Sequence, residues 1–459
     1  MSKLNYAGEY ELSELILYSS SGNIVNLENS YLEIDLYENM FSNTLSGTIL
    51  VVDTDGIIMN LPVIGQEYIS FKITTPSLDS HAIDYTKHLM SVFKIDSRVP
   101  TRGSEAFVLH FCSPELITNK RVRVSKSYTN TIDEIVLDVL ENPKAVNTSK
   151  TIFIEKTKGI KKLIVPNRNP YFLIKDLTTD AISGETGSPN YVFFENTQGI
   201  HFRTLESLYN EPSIGDFISS DLGPIDFQKG GVMNIDQELK RVLEYQITGN
   251  NDTLENIESG MLASKTIEYD IFQKKYDVSY YNYFTDFYKY KRVSNNRGKD
   301  NPIYNDVSID ENGKTMGDYS NAKIFMHSTS KDSEGNDAQH TGSYTPNDIS
   351  KTISSRSAKH TELDKGVKIL MRVNGTTTLS AGATINFQIP ITGKNHTDDE
   401  FDIYNSGRFL ITKLKHSFIR TGTKHKVLMT AVKDSFNMAL PQNTEQPNPK
   451  GNKGSVIYT

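Results

Sequence analysis

The sequence has one cysteine and no apolar run near the roughly 18 residues that a membrane-spanning helix needs. Cys112 cannot form an internal disulfide, and its place in the alternating run AFVLHFC predicts a buried strand position. The first ten residues lack the charged start and apolar centre of a signal peptide. We therefore expect synthesis in the cytoplasm, without export by that route and without membrane insertion.

An excess of basic residues is also missing. The chain has 49 Lys and Arg against 56 Asp and Glu, which gives a formal charge of −7 (49 − 56). Phosphate binding requires clustered cationic side chains, so this balance argues against a nucleic-acid-binding protein. At 459 residues the chain is long enough for two or three separate cores.

Catalytic signatures are absent as well. The sequence contains no G-x-G-x-x-G, no phosphate-binding G-x-x-x-x-G-K, no H-E-x-x-H and no G-x-S-x-G. The spacing of His327, His340 and His360 does not fit a zinc site, and they read as solvated loop residues. The consecutive carboxylates 398–400 lack the pattern of a calcium loop. We predict no catalytic residue, no metal site and no cofactor, and therefore a protein that is not an enzyme.

The segments that are present predict an α+β protein that is mainly β. Period-2 alternation marks strands in the first 118 residues, at 31–37, 48–53, 67–73, 91–99 and 106–111. A 3.6-residue period replaces it at 131–140, where Thr131 and Glu134 have capping-box spacing. Asn169 and Pro170 have the residue types of a second helix start. Residues 119–239 therefore form a small α+β domain.

Alternation returns at 242–247, 266–272, 367–373, 384–389, 408–414 and 426–432. We predict a first β domain over 1–118 and a second, similar β domain over 240–292 and 361–438. Residues 293–360 are rich in Ser, Asn, Asp and Gly and are expected to be a polar insertion, with a helix toward its end. Residues 439–459 read as a linker-like tail.

The two β domains carry a repeated pattern. The segments ISFKI (69–73) and INFQI (385–389) match at a shift of 316, Phe93 matches Phe409 at the same shift, and Val108 matches Val427 at 319. Order and spacing favour a duplicated domain, although short alternating patterns also match by chance. The repeat positions predicted to form a ring are Ile69, Phe71, Ile73, Phe93, Ile95, Val108, Ile385, Phe387, Ile389, Phe409, Ile411 and Val427.

An aromatic tract, YYNYFTDFYKYKR (280–292), interleaves Tyr and Phe with basic residues. Such a tract suits stacking on single-stranded nucleic acid. Packing against a neighbouring subunit is the preferred interpretation, because aromatic residues favour interfaces and the chain is acidic.

Several segments, taken in order, resemble the baseplate central hub proteins of T-even-type contractile-tail phages, which are related to the hub of type VI secretion spikes. The segments are SYLEIDLYENMFSNTLSGTILVVD, IGQEYISFKI, NPYFLIKDL, YVFFENTQGIHFRTL, NDTLENIESGMLASKTIEYDIFQKKY, VNGTTTLSAGATINFQIP and RFLITKLKHSF. They cover most of the chain outside 294–360. None is a chemical signature by itself, and their order is the stronger argument.

The resemblance implies a homotrimeric ring in which two tube-like β domains per chain surround a channel, with the α+β domain outside it. It implies a virion protein of the tail baseplate, a symmetry adapter between the sixfold tail tube and the threefold spike. The implied partners are the spike protein trimer, the tail-tube initiator ring, the tape-measure protein and the baseplate wedge proteins, with DNA only as transient cargo in the lumen. Two alternatives stay open: a tail-associated cell-wall or polysaccharide hydrolase, and a peripheral receptor-binding tail protein.

Overall fold

The computed structural model describes residues 4–54, 56–57, 63–78, 81–101, 103–219, 235–248, 252–271, 273–294, 300–307, 313–329, 340–341, 349–391 and 401–441. Strand accounts for 45% and helix for 20%, which confirms the prediction of a mainly β protein. No helix in these ranges is long and apolar enough to cross a membrane.

The first β unit contains eight strands. They are β1 (Glu11–Tyr18), β2 (Ile24–Asn26), β3 (Tyr31–Asn39), β4 (Ser46–Asp53), β5 (Tyr68–Thr74), β6 (Ile83–Asp84), β7 (Met90–Thr101) and β8 (Ser104–Cys112). Strict alternation explains the core: in β4, Gly47, Ile49 and Val51 are buried while their neighbours are partly exposed. Cys112 is buried at the end of β8, as its alternating run predicts.

The α+β unit follows. Its elements are α1 (Pro114–Arg121), β9 (Val124–Asn130), α2 (Ile132–Glu141), β10 (Ile152–Ile154), β11 (Ile160–Arg168), α3 (Pro170–Asp180), β12 (Tyr191–Asn196), β13 (Gly199–Thr204) and α4 (Leu205–Asn210). The predicted capping box is wrong: Thr131 is the N-cap residue of α2, but its side chain makes no cap hydrogen bond. The helix is held by burial of its apolar face instead.

The remaining elements alternate between a second β unit and a layer outside it. In chain order they are β14 (Asp216–Ser219), α5 (Ile235–Leu239), β15 (Arg241–Ile247), α6 (Thr253–Glu258), β16 (Ala263–Asp270), β17 (Lys275–Asn282), α7 (Tyr283–Asp286), β18 (Ile324–Thr329), β19 (His340–Thr341), α8 (Ile349–Lys365), β20 (Val367–Asn374), β21 (Thr384–Gln388), β22 (Gly407–Ile419) and β23 (Lys424–Lys433).

The second β unit is a closed six-stranded barrel. Each strand pairs with two neighbours in the cyclic order β14-β21-β22-β23-β20-β15. Strand β14 lies within 119–239, the range expected to be the α+β domain, yet it closes this barrel. The reason is that β14 pairs in parallel with β15 over two residues and with β21 over three, contacts that no local pattern encodes.

Strands β17, β16 and β18 form a separate three-stranded sheet, here called the outer sheet. Strand β16 covers the alternating segment 266–272, which therefore does not enter the barrel. Strand β18 and α8 both lie within 293–360, so this polar region contributes ordered elements and is more than an insertion loop. The residues of α8 that pack inward are mostly small or charged, such as Ser354, Ala358 and Glu362, which is why the segment has low hydropathy.

The first unit has the same strand order, β1-β5-β7-β8-β4-β3. If the short strands β2 and β6 are left out, the strands of each unit can be numbered one to six along the chain. In both units their order across the sheet is then one, four, five, six, three, two. The units differ at their first strand: β1 is antiparallel to β5, whereas β14 is parallel to β21. Within the described residues, only the second unit closes.

Candidate assembly interface

The two β units are joined along one edge by antiparallel pairing of β3 with β22. In this ladder Ser417 lies opposite Asp35, and its hydroxyl donates to Asp35 Oδ1 at 2.6 Å. Lys415 Nζ lies 2.8 Å from the other oxygen of that carboxylate. The pairing produces one continuous run of eight antiparallel strands, β7-β8-β4-β3-β22-β23-β20-β15.

Irregular positions recur at matching places in the two units. A β-bulge places Leu32 of β3 and Leu243 of β15 outside the regular pairing, at an offset of 211 (243 − 32). A second bulge does the same to Phe93 of β7 and Thr412 of β22, at an offset of 319 (412 − 93). A bulge adds one residue at a specific point of a ladder, so two coincidences support structural equivalence of the units.

The sequence contains a signal for the first of these bulges that alternation alone does not reveal. The segments YLEI (31–34) and VLEY (242–245) share Leu-Glu at the bulge and at the residue after it. No comparable identity marks Phe93 and Thr412.

The repeat positions fall mainly in the two cores. Nine of them are buried: Ile69, Phe71, Ile73, Ile385, Phe387, Ile389, Phe409, Ile411 and Val427. Ile95 and Val108 are partly buried, and Phe93 is 49% exposed. Phe93 points away from the core because it is the bulged residue of β7.

The ladders also specify which repeat positions correspond. Ile69 pairs with Met90, and Ile385 pairs with Phe409, so the shift of 316 holds between β5 and β21. Phe409 then corresponds to Met90, three residues before Phe93. The extra three residues of the second unit therefore precede β22, and the following hairpin is longer by only one residue, since Ser91 pairs with Cys112 and Leu410 pairs with Val432.

The eight-stranded run ends in β7 on one side and in β15 on the other. These two strands are the equivalents of β22 and β3, but they do not pair with each other within the described part of the chain. Strand β22 pairs first with β21 and then, from Lys413 onward, with β3. Strand β7 pairs first with β5 at Met90 and Ser91, and its continuation has β8 on one side and no partner on the other among the described residues. Strand β15 likewise has β20 on one side of Glu244–Ile247 and no described strand on the other. The structure therefore describes no partner strand for these two edges.

Glu38 of β3 ties the junction to the rest of the chain. Its buried carboxylate accepts hydrogen bonds from the backbone N–H of Ala381 at 2.6 Å and of Thr197 at 3.1 Å. Thr197 lies in the turn between β12 and β13, and Ala381 lies before β21, so one side chain holds three units together. Burial, opposed by these hydrogen bonds, raises the pKa of Glu38 to about 7.

A second buried carboxylate, Glu195 of β12, joins the first β unit to the α+β unit. It accepts from Ser113 Oγ at 2.7 Å and from the backbone N–H of Leu45 at 3.1 Å, and Lys150 Nζ lies 2.6 Å away. Burial raises the pKa of Glu195. Every one of these partners is internal to the fold, so the cluster is a structural connection and offers no open position to a substrate.

Other residues with candidate chemistry are also dispersed or internal. In the described ranges, no group of three His, Cys, Asp or Glu residues could hold a metal ion. His360 is not a loop residue: it lies on α8 beside Arg356. The carboxylates 398–400 lie outside the described residues.

The aromatic tract 280–292 packs largely within its own chain, contrary to the preferred interpretation. Tyr283 and Phe287 are fully buried, and the Arg292 guanidinium lies 3.8 Å from the Phe287 ring centroid. Tyr280 and Tyr288 remain exposed. Burial of Tyr283 and Phe287 leaves fewer aromatic faces for stacking on nucleic acid.

Known proteins resemble this chain in structure but not in sequence. No family model matches this sequence, and no curated protein matches it. A tail protein from Neisseria meningitidis MC58 aligns over 93% of this chain and 97% of its own, at 8% identity and a TM-score of 0.50. The 43 kDa tail protein of prophage MuSo2 from Shewanella oneidensis aligns over 92% and 99%, at 8% identity and a TM-score of 0.52.

These similarities extend over nearly the whole of each chain. They show that this protein has the fold of phage tail proteins, which confirms the fold expected from the resemblance.

Proposed function

We propose that this protein is the structural central hub of a phage tail baseplate, a homotrimeric ring that joins the sixfold tail tube to the threefold spike. One observation carries the proposal: two equivalent β units pair through β3 and β22, while the structure describes no partner strand for the equivalent edges of β15 and β7. Repeating the same pairing between chains closes the run and covers both edges.

The closed ring has 24 strands, since each of three chains supplies eight. Six equivalent units then face a sixfold partner, while the chain itself repeats three times. This is how a duplicated domain can adapt one symmetry to the other.

The bulges give the register of the proposed contact. A further bulge between Asp96 and Val99 of β7 lowers its offset from β22 to 318, so Val99 corresponds to Ser417 (417 − 318). Asp35 corresponds to residue 246 (35 + 211). Because Ser417 lies opposite Asp35, Val99 should lie opposite Gln246 of the partner subunit. Both side chains are exposed in the single chain, Val99 by 54%.

Cysteine pairing tests this register. Opposed residues of antiparallel strands have Cα atoms about 4.5–5.5 Å apart, within the range that a disulfide spans. Under oxidation, Val99→Cys combined with Gln246→Cys should give covalent trimers in tail particles. Val99→Cys combined with Leu254→Cys, on the exposed side of α6, is the matched control and should not. Covalent dimers alone, or a chain count other than three per particle, would contradict the ring.

The charge on the eight-stranded run supports a channel through which DNA passes without binding. Some cationic side chains on it are paired with carboxylates, as in Lys415–Asp35 and Arg372–Glu244 at 2.8 and 3.0 Å. Mixed charge avoids the strong attraction to phosphates that a basic wall would create. On the same proposal, the partners of this protein are the spike trimer, the tube initiator ring, the tape-measure protein and the wedge proteins.

The neighbours in fold are tail proteins, which supports a protein without enzymatic activity. A cell-wall and polysaccharide degradation assay on the purified chain separates this proposal from a tail-associated hydrolase. We expect no activity. Hydrolysis that one carboxylate substitution abolishes would establish the alternative.

A further inference from the structure

The central strand of the outer sheet, β16, has the reverse of the usual polarity. Its inner face packs against α8 and carries polar residues: Thr266 Oγ1 lies 2.7 Å from Ser354 Oγ, and Ser264 and Glu268 are also buried on it. Its other face is apolar and points away from the chain. A sheet with one solvated face normally turns its apolar residues inward, so this arrangement requires an explanation.

Cross-strand pairing places the exposed apolar residues side by side. Ile267 at the centre of β16 lies opposite Val278 on one side and Met326 on the other. Tyr269 lies opposite Tyr276 on the same face. The most exposed members of this apolar face are Met326 at 80%, Tyr280 at 71% and Tyr276 at 70%.

The exposed area is large for a free surface. Tyr269, Tyr276, Val278, Tyr280, Ile324 and Met326 together expose roughly 700 Å², taking about 150–250 Å² for a fully exposed side chain of this size. Soluble monomers rarely expose a contiguous apolar patch above about 300–600 Å². A standard protein interface buries about 800 Å² on each side. The face therefore has the size of one half of a stable interface.

Its composition also matches an interface centre. Tyr and Met are enriched where proteins bind each other, and charged residues are depleted there. Lys265, opposite Tyr280 and Ile324, is the one charged residue of this face within the described part of the outer sheet.

We propose that the apolar face of the outer sheet docks a different protein of the tail, one that presents an apolar face with an acidic group opposite Lys265. The choice against a second copy rests on the proposed ring. In a threefold ring the same face recurs at 120° and cannot meet itself, because a self-complementary contact requires a twofold axis. Within the described residues the outer sheet packs against α8 and is not paired with β7 or β15, the strands that the proposed ring joins between chains, so this pairing does not use it.

Site-specific photocrosslinking in assembled tail particles tests the occupant. A benzophenone amino acid replaces Met326, and in a second variant Tyr280; the same group at the exposed Leu254 is the control. Both face positions should give an adduct with one and the same protein that is not this chain, which the Leu254 position does not give. An adduct with another copy, an adduct within the same chain, or no adduct at either position would overturn the proposal.

A solution measurement separates this proposal from the ring. The double variant Met326→Glu with Tyr280→Glu should keep the chain count of the wild type in native mass spectrometry, because the face makes no contact between copies. Loss of oligomers in the variant would overturn the docking of a different protein. A foreign adduct in particles that hold other than three copies would refute the ring and leave the docking surface supported.

Discussion

Glu38 makes the stability of this protein depend on pH in a direction that can be calculated. Its carboxylate is buried at the meeting point of three units, and burial raises its pKa from the usual 4.5 to about 7. A carboxyl group whose pKa is raised on folding stabilises the fold below its unfolded pKa. That contribution disappears as the pH rises through the folded pKa. We therefore expect Glu38 to favour folding at pH 5 and to cost stability at pH 8.

The size of the effect follows from the shift. A difference of about 2.5 pKa units at about 1.4 kcal/mol per unit amounts to about 3.5 kcal/mol over the whole titration, of which about 2.5 kcal/mol falls between pH 5 and pH 8. Neighbouring groups do not reverse the direction of the pKa shift of Glu38. The charge of Glu195 raises the pKa of Glu38 further. His416 Nε2, 3.9 Å away, is neutral in this range because burial lowers its pKa to about 3.

Glu38→Gln removes the titration while keeping the shape. Urea unfolding of wild type and variant at pH 5 and pH 8 measures it, with Glu141→Gln, an exposed position on α2, as the matched control. The difference in unfolding free energy between the two pH values should be about 2.5 kcal/mol smaller in the variant than in the wild type or the control. Identical pH dependence in all three proteins would refute the reasoning.

Three further substitutions test the packing. Gly47→Ala would bring a Cβ within 2.2 Å of the ring of Phe111 and should lower the free energy of unfolding by about 1–3 kcal/mol, seen as a lower urea midpoint. Arg292→Ala leaves the buried Glu362 carboxylate without its ion-pair partner; we expect a loss of about 3–5 kcal/mol and a lower thermal midpoint. Phe387→Ala empties the centre of the closed barrel, and a loss of about 3–5 kcal/mol should appear as faster proteolysis. Wild-type values in any of these assays would contradict the packing described.

The sequence by itself determined the local β structure and the class of the protein. Period-2 alternation locates the strands, since side chains of a strand point to opposite faces in turn. It also matches Phe71 to Phe387 at a shift of 316, and both are buried in strands. The absence of catalytic signatures and the order of segments led to the same fold that the structural comparisons support.

The tertiary structure decided what depends on contacts between distant segments. Three extra residues precede β22, so the sequence pattern matched Phe409 to Phe93, whereas the strand ladders match it to Met90. Closure of the barrel by β14 depends on two short parallel pairings that leave no periodicity in so few residues. The outer sheet shows the limit most clearly: alternation predicts which residues share a face, but only packing against α8 decides that the polar face is the buried one.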